Sequence, residues 1–186
     1  MTRSARWASV VAASVLAALP LVAQEGEGMG SYSNPVALGV FAGASIPTGA
    51  FSDFAGSGWH IGALLQWSSP TAPIGIRADG AYHKFGDKNN AGIFPSLLNA
   101  TLDGTLTFST SSTVRPYILA GGGVYSQRAR DQDSQTKFGV NGGIGILVPL
   151  SGFSTMIEGR YHIIFDKTEG TSNSAFIPIS VGLLFR

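Results

Sequence analysis

Ionisable residues lie in three short segments of the sequence, and in two of these segments residues of opposite charge are two positions apart. Arg77 is followed two residues later by Asp79, Asp103 lies in a threonine-rich segment, and Glu158 is followed two residues later by Arg160. Residues two apart in a β-strand point to the same side. Because an unpaired buried charge is costly, enclosing these side chains would require them to pair. We therefore predict an interior ionic network, in which Arg77 or Asp79 meets Asp103 from the neighbouring strand.

A second set of reactive side chains has the types that ester hydrolysis uses. Ser154, Glu158 and His162 lie four residues apart, which at about 3.3 Å per residue spreads the three along some two dozen ångströms of strand. A nucleophile and its base must lie within hydrogen-bond reach, so this spacing argues against a triad. His60 and His83 fit hydrogen-bonding roles better than metal ligation. We predict no catalytic, metal or cofactor site.

Composition excludes several classes of protein. Only 12% of the 186 residues are charged, against about 25% in ordinary soluble domains. There are 12 basic and 11 acidic residues, so the charge footprint of a nucleic-acid-binding protein is missing. The absence of cysteine leaves no disulfide framework and no thiolate ligand.

The first 23 residues have the pattern of a secretory signal peptide. Arg3 and Arg6 precede an apolar run over residues 7–19, and Leu21-Val22-Ala23 offers a cleavage site. A retained membrane anchor is the alternative, although the run is short for a spanning helix of roughly 20 residues. We divide the chain into a signal peptide (1–23), a flexible lead-in (24–34) and one folded domain (35–186).

The folded domain contains eight segments in which apolar and small or polar residues alternate. In the last one, Ile177, Ile179, Val181, Leu183 and Phe185 share a face. A final strand with such an exposed edge would recruit other chains, so we expect it to seal against the first segment. The eight predicted strands cover residues 35–46, 59–68, 74–85, 97–108, 114–126, 137–150, 153–165 and 176–186.

The connections between these segments alternate in length. Short turns span 68–73, 109–113 and 150–152, whereas longer, mostly polar loops span 47–58, 86–95, 127–136 and 166–175. Short turns at one end and longer loops at the other are typical of bacterial outer-membrane barrels. The predicted fold is all-β: an eight-stranded antiparallel up-and-down transmembrane β-barrel with both chain ends on the short-turn side.

Aromatic residues mark where the membrane surfaces would lie on such a barrel. Trp59 and Trp67 end the apolar face of one segment, and Tyr161 and Phe165 lie on the apolar face of another; aromatic rings are enriched at membrane interfaces. A soluble lipocalin-like barrel is the main structural alternative, but it has an apolar interior and a polar outside. Here the charged residues lie on the faces that lack aliphatic runs.

The whole domain resembles small outer-membrane β-barrel proteins of the OmpA-like and OmpX-like kind. The likeness rests on Gly-Ala-Ser-Ile-Pro-Thr-Gly at 43–49, Arg-Pro-Tyr-Ile-Leu-Ala-Gly-Gly-Gly at 115–123, Glu-Gly-Arg-Tyr at 158–161 and the closing strand. In that family the terminal strand is read by the barrel assembly machinery. Ser180, Gly182 and Phe185 match the polar, glycine and aromatic positions of that signal, which the resemblance implies for this chain.

These observations predict a non-enzymatic, monomeric barrel of the outer membrane, exported through a cleaved signal peptide. Its expected partners are the lipid bilayer, lipopolysaccharide and the assembly machinery, and its role is structural or one of surface interaction. A narrow gated channel is an alternative, because the ionic network could act as a plug that re-pairs. A lipid-modifying enzyme, similar to the lipid A deacylases, and a soluble carrier are weaker alternatives. Arg128, Arg130, Asp131 and Asp133 form a mixed-charge loop, and residues 87–90 are expected to turn.

Overall fold

The computed structural model describes residues 34–88, 95–108, 113–128, 134–165 and 173–186. The predicted signal peptide and nearly all of the lead-in lie outside these ranges. The same is true of Asn89 and Asn90 in the predicted turn and of Arg130, Asp131 and Asp133 in the mixed-charge loop.

Eight antiparallel strands form a single closed barrel in which each strand pairs with its neighbours in the chain. The predicted fold class is therefore confirmed. The strands are β1 (Val36–Thr48), β2 (Ala55–Ser68), β3 (Ile74–Asp87), β4 (Ser96–Thr107), β5 (Arg115–Arg128), β6 (Gln135–Pro149), β7 (Phe153–Ile164) and β8 (Ser174–Phe185). No helix of the described segments is long and apolar enough to cross a membrane.

The barrel closes through pairing of the first and last strands. Leu38 of β1 lies opposite Phe185 of β8, and the ladder continues to Thr48 opposite Ala175. The final strand therefore seals against the first, as its alternating pattern predicts. Closure leaves no free strand edge on the barrel, so the backbone groups of β8 are paired on both sides.

Each strand turns its aliphatic side outward. In β3, exposed and buried residues alternate over almost the whole strand, so that Ile76 points outward while Arg77 and Asp79 point inward. The outward side chains of β4 and β6 include Leu102 and Ile144. This alternation follows from the pleat of a strand, in which successive side chains point to opposite faces.

Two apolar clusters fill the barrel on either side of its polar middle. One lies toward the end with the short turns and consists of Ala37, Phe41, Leu64, Ala81, Tyr117, Leu119, Leu147, Met156 and Leu184. The other lies toward the end with the long loops and consists of Phe51, Ala55, Phe85, Leu97, Tyr125, Ile164 and Phe176. We call these the short-turn end and the long-loop end of the barrel.

The first long loop is shorter than predicted. The sequence suggests a polar loop over residues 47–58, but β1 continues to Thr48, a 3₁₀-helix spans Gly49–Asp53, and β2 begins at Ala55. The reason is Phe51, which is buried and packs edge-on against Phe85 with ring centroids 4.9 Å apart. This contact folds the segment inward over the barrel, and a register shift between Gly56 and Trp59 accommodates the early start of β2.

Candidate functional site in the barrel interior

Two arginines and three carboxylates form a connected ionic network in the middle of the barrel. Arg77 donates from Nε to Asp79 and from Nη1 to Glu158, both at 2.8 Å. Arg160 donates to Asp79 and to Asp103, both at 3.1 Å, and through Nε to Glu158. Each arginine therefore joins carboxylates from different strands, and the network ties β3, β4 and β7 together.

The strand register brings these side chains to one level. Glu158 and Arg160 lie on the inward face of β7, four strands away from β3 around an eight-stranded barrel, so the two strands are opposite walls. The long arginine side chains cross the interior between them. The Arg77 and Asp103 side chains are 1% and 0% exposed, so water screens these charges very little and pairing dominates their energetics.

The network contains one more carboxylate than guanidinium group. Neutral donors surround the carboxylates and offset this imbalance. The Tyr117 hydroxyl donates to Glu158 at 2.6 Å, Asn141 Nδ2 donates to Asp103 at 2.8 Å, and the Thr101 hydroxyl donates to Asp103 at 3.1 Å. Hydrogen bonds to ionised groups are among the strong ones in proteins, so these donors help to stabilise the surplus negative charge.

The sequence left open whether Arg77 or Asp79 meets Asp103, and the structure shows which of the described residues form ion pairs with Arg77 and with Asp103. Arg77 lies directly opposite Asp103 in the β3–β4 register, yet among the described residues its ion pairs are with Asp79 and Glu158. Asp103 pairs instead with Arg160. The guanidinium of Arg77 extends across the barrel to the opposite wall, where Glu158 can accept from both of its terminal nitrogens.

Inward glycines make the room that these large side chains occupy. A Cβ on Gly121 would lie 2.3 Å from a carboxylate oxygen of Asp103, and one on Gly145 would lie 2.4 Å from the ring of Tyr117. A Cβ on Gly143 would lie 2.8 Å from the side chain of Arg160. Any other residue at these positions would clash with the network, which explains part of the high glycine content.

A layer of histidines lies next to the network on its long-loop side. The Ser45 hydroxyl is 3.0 Å from His60 Nδ1 and 2.8 Å from His83 Nδ1. The other ring nitrogens of these histidines contact Ser180 at 2.8 Å and Asn99 at 2.9 Å. The chain's remaining histidine, His162, is 2.9 Å from the hydroxyl of Tyr125 through Nδ1 and stacks on Phe176.

The space left between these groups is small. A cavity of about 20 Å³ lies between the histidines and the network, which is room for about one water molecule. No cluster of three or more His, Asp or Glu in the described part of the chain is arranged to hold a metal ion. Around this cavity, the described interior is packed with buried polar side chains.

The residues considered for ester hydrolysis do not form a catalytic unit. Glu158 bonds to the two arginines and Tyr117, whereas His162 bonds to Tyr125. Ser154 lies near the start of β7, and neither of these two side chains hydrogen-bonds to it within the described residues.

The aromatic residues expected at membrane surfaces all lie on the outside of the barrel. Trp59 and Trp67 lie toward opposite ends of β2, with Trp59 at the long-loop end, and both are exposed. Tyr161 on β7 and Phe165, directly after that strand, are also exposed. Tyr82 on β3, which the sequence analysis did not assign to this group, joins them through a ring contact with Trp59 at 5.9 Å.

The three residues of the terminal strand that resemble an assembly signal have different surroundings in the folded barrel. Ser180 is buried and hydrogen-bonded to His60, Gly182 lies close to the backbone of Val40, and Phe185 is exposed. In the folded state, only Phe185 of the three is thus presented to the outside.

Several residues of the interior were not singled out from the sequence. Ser45, Asn99, Thr101 and Asn141 are short polar residues on strands with alternating patterns. Their inward positions were available from that alternation. Thr101 bonds to Asp103 of its own strand, but the partners of Ser45, Asn99 and Asn141 come from other strands. Only the closed register identifies those contacts.

An up-and-down barrel of eight strands with an aliphatic outside and an ionic inside is the architecture of small transmembrane barrels of bacterial outer membranes. No known sequence family matches the chain, and neither does any curated protein sequence. Solved structures of outer-membrane β-barrels do share its fold.

Three of these structures show the extent of the likeness. Neisserial surface protein A has 15% identity and a TM-score of 0.66, with 82% of this chain and 97% of that chain covered. A major outer membrane protein from Thermus thermophilus has 14% identity and a TM-score of 0.52, covering 82% and 99%. The N-terminal β-barrel domain of Pseudomonas aeruginosa OprF has 16% identity and a TM-score of 0.50, covering 80% and 97%.

Proposed function

We propose that this chain is an integral outer-membrane protein of a diderm bacterium with a structural or surface-interaction role. The observation that carries the proposal is the distribution of polarity on the closed barrel. Leu102 and Ile144 are 62% and 69% exposed on the outside, whereas Arg77 is 1% exposed inside. Hydrocarbon requires such an outside, and it also requires that every backbone polar group be paired, which a closed barrel achieves. A soluble lipocalin-like carrier would have the opposite arrangement.

The packed interior supports a structural role over general transport. An eight-stranded barrel is just wide enough to be filled by side chains, and here apolar clusters lie on both sides of the ionic network. A barrel of this kind would act through its shape in the membrane and through the loops at one end. We place those long loops on the cell surface and the short turns in the periplasm.

Export and assembly belong to the same proposal. Residues 1–23 would direct the chain across the inner membrane and then be removed. Ser180, Gly182 and Phe185 would be recognised by the barrel assembly machinery before β8 pairs with β1. Substituting Phe185 by Ala should then reduce the folded fraction in cells more than it reduces refolding of the purified chain in detergent.

Fractionation tests the membrane assignment. The protein should sediment with outer membranes, require detergent for extraction and migrate faster on gels before boiling than after it. A chain lacking β8 is the matched control, because it retains most of the sequence but cannot close. Recovery of the full-length protein in buffer without detergent would overturn the proposal.

A narrow gated channel is the second candidate, and the observation that favours it is the position of Arg160 among three carboxylates. Exchange of these pairs could open a water path through the middle of the barrel. Planar-bilayer recordings of the wild type and Arg160→Ala distinguish the two roles. If neither protein conducts ions, the structural role is supported. Discrete conductance by the wild type that Arg160→Ala alters would support the channel.

The enzyme alternative receives no support from the interior geometry, because Glu158 and His162 have separate partners. Analysis of lipid A from a strain lacking the gene tests this directly. We expect the acylation of lipid A to be unchanged. A specific change in its number of acyl chains would support the alternative that the protein is a lipid-modifying enzyme.

A further inference from the structure

A row of outward-facing polar residues crosses three strands at the long-loop end of the barrel. Lys84 of β3 lies opposite Ser96 of β4, and Ser96 lies opposite Arg128 of β5. Lys84 and Arg128 are exposed, whereas Ser96 is half-buried and its hydroxyl donates to the carbonyl oxygen of Arg128 at 3.4 Å. Because these residues share the outward face of adjacent strands, their side chains project from the same patch of the wall.

The row begins beside an aromatic pair. Trp59 of β2 lies directly opposite Lys84, and Tyr82, two residues before Lys84 on the same face, contacts the ring of Trp59 at 5.9 Å. Tryptophan and tyrosine rings favour the level of lipid headgroups. The amine of Lys84 and the guanidinium of Arg128 can therefore reach the headgroup layer just beyond the hydrocarbon.

The two cations have no local counter-ions on the described surface. Neither Lys84 nor Arg128 forms an ion pair with an acidic side chain of residues 34–88, 95–108, 113–128, 134–165 or 173–186. Elsewhere at this end, the outward positions include Ile46 on β1 and Phe138 on β6, which are apolar. Within the described residues, the exposed Lys84 and Arg128 thus lie on one arc of the wall at the long-loop end.

The spacing of the row suits a phosphate group. Lys84 and Arg128 are two strands apart, or roughly 10 Å at about 4.8 Å per strand, and both side chains are long enough to converge above Ser96. Arginine and lysine are the usual ligands of phosphate, and a guanidinium can donate two parallel hydrogen bonds to it. An anion in this position would also relieve the repulsion between the two cations.

We propose that Lys84 and Arg128, which lie on either side of Ser96, form a binding site for a phosphate of the lipid A part of lipopolysaccharide in the outer leaflet. The proposal rests on the outer-membrane function proposed above. It commits to lipid A because the site lies on the membrane-facing wall at the long-loop end, where lipid A phosphates would lie beside it. Tyr82 and Trp59 would contact the acyl chains of lipid A and the edge of its sugars.

Binding of defined lipids to the folded, detergent-solubilised full-length protein tests this site. Bis-phosphorylated lipid A, the same lipid after dephosphorylation, and phosphatidylglycerol are titrated separately, with lipid retention measured by native mass spectrometry. We expect phosphorylated lipid A to bind about tenfold more tightly than the dephosphorylated lipid, and K84A/R128A to remove this preference. The double variant K84R/R128K, which keeps the charges, should retain it.

Two control variants isolate the site from general charge effects. Arg186→Ala removes a cation at the short-turn end, and Lys88→Ala removes one whose Nζ is 2.8 Å from the carbonyl oxygen of Ser52; neither should change the preference. Equal binding of phosphorylated and dephosphorylated lipid A, or unchanged binding by K84A/R128A, would overturn the site. Equal binding of phosphatidylglycerol would overturn the assignment to lipid A. Only protein that heat modifiability shows to be folded is titrated. A negative binding result would therefore overturn the lipid A site and leave the proposed outer-membrane function in place.

Discussion

Arg77 and Glu158 pair across the full width of the barrel at 2.8 Å, although 81 residues separate them in the chain. Their strands, β3 and β7, are opposite walls and share no backbone hydrogen bonds. This contact, with Arg160 alongside it, therefore connects parts of the sheet that the strand ladder links only indirectly. Loss of the Arg77–Glu158 ion pair should therefore lower the stability of the whole barrel rather than that of one hairpin.

Replacing Arg77 by Met should lower the free energy of unfolding by about 3–5 kcal/mol, which is the usual cost of removing one partner of a buried pair. The variant leaves Arg160 as the one guanidinium facing three carboxylates of the described network. Urea unfolding in lipid vesicles, followed by gel mobility, measures the change. Arg186→Met, at an exposed position, is the control and should unfold like the wild type. An unchanged unfolding midpoint for Arg77→Met would show that the network does not stabilise the barrel.

Replacing Tyr117 by Phe should cost about 1.5–3 kcal/mol, because it removes a hydrogen bond to an ionised group while keeping the ring. The Tyr117 hydroxyl donates to Glu158 at 2.6 Å. Tyr82→Phe is the matched control, since Tyr82 is on the outward face and 39% exposed. The same urea titration compares the two variants. If both lose equal stability, the hydroxyl of Tyr117 has no special contribution.

Gly121→Ala should destabilise the barrel by about 1–3 kcal/mol through overpacking. The added methyl group would lie 2.1 Å from the carbonyl oxygen of Leu102 and would also press on Asp103. At Gly159, by contrast, a Cβ meets nothing within 4 Å. Gly159→Ala should therefore be neutral or stabilise slightly, since glycine is disfavoured inside strands. Unfolding midpoints that fall in the opposite order would contradict the packing described for the interior.

An arginine on the outside should be costly in proportion to its depth. Ile144 lies near the middle of β6 and Phe138 lies near its long-loop end, and both are exposed. Ile144→Arg should cost about 2–4 kcal/mol and Phe138→Arg only about 0–1 kcal/mol, as for other outer-membrane barrels. The difference should appear in vesicle unfolding experiments at equal lipid composition. Equal costs at both positions would mean that the wall does not span a hydrocarbon layer.

The strands and their orientation were predictable because each one carries its own signal. In β2, Trp59, Ile61 and Leu65 alternate with His60 and Leu64, and period two alone assigns their faces. The closing pair of β1 and β8 follows from the need to remove two free edges. The 3₁₀-helix at Gly49–Asp53 was not predictable in the same way, because burial of Phe51 depends on Phe85 from another strand.

The members of the ionic network could be predicted but their pairing could not. The alternation within one strand predicts which charged side chains point inward. Which partner each of them meets depends on the register of several strands around the barrel. Neighbouring strands suggested that Arg77 or Asp79 meets Asp103, yet Arg77 reaches Glu158 on the far wall and Asp103 pairs with Arg160. The partners of His60 and His83 could not be predicted for the same reason, since Ser45 joins these two histidines only after the barrel closes.

The most direct test of the account is the environment of single labelled cysteines in a chain that has none of its own. Nitroxide labels at Leu102→Cys, on the outward face of β4, and at Asp53→Cys, an exposed residue at the end of the 3₁₀-helix, would be compared in lipid vesicles. We predict that oxygen relaxes the label at position 102 more than a water-soluble nickel complex does, with the reverse at position 53. Stronger relaxation by nickel at both positions would contradict the claim that the aliphatic wall faces lipid.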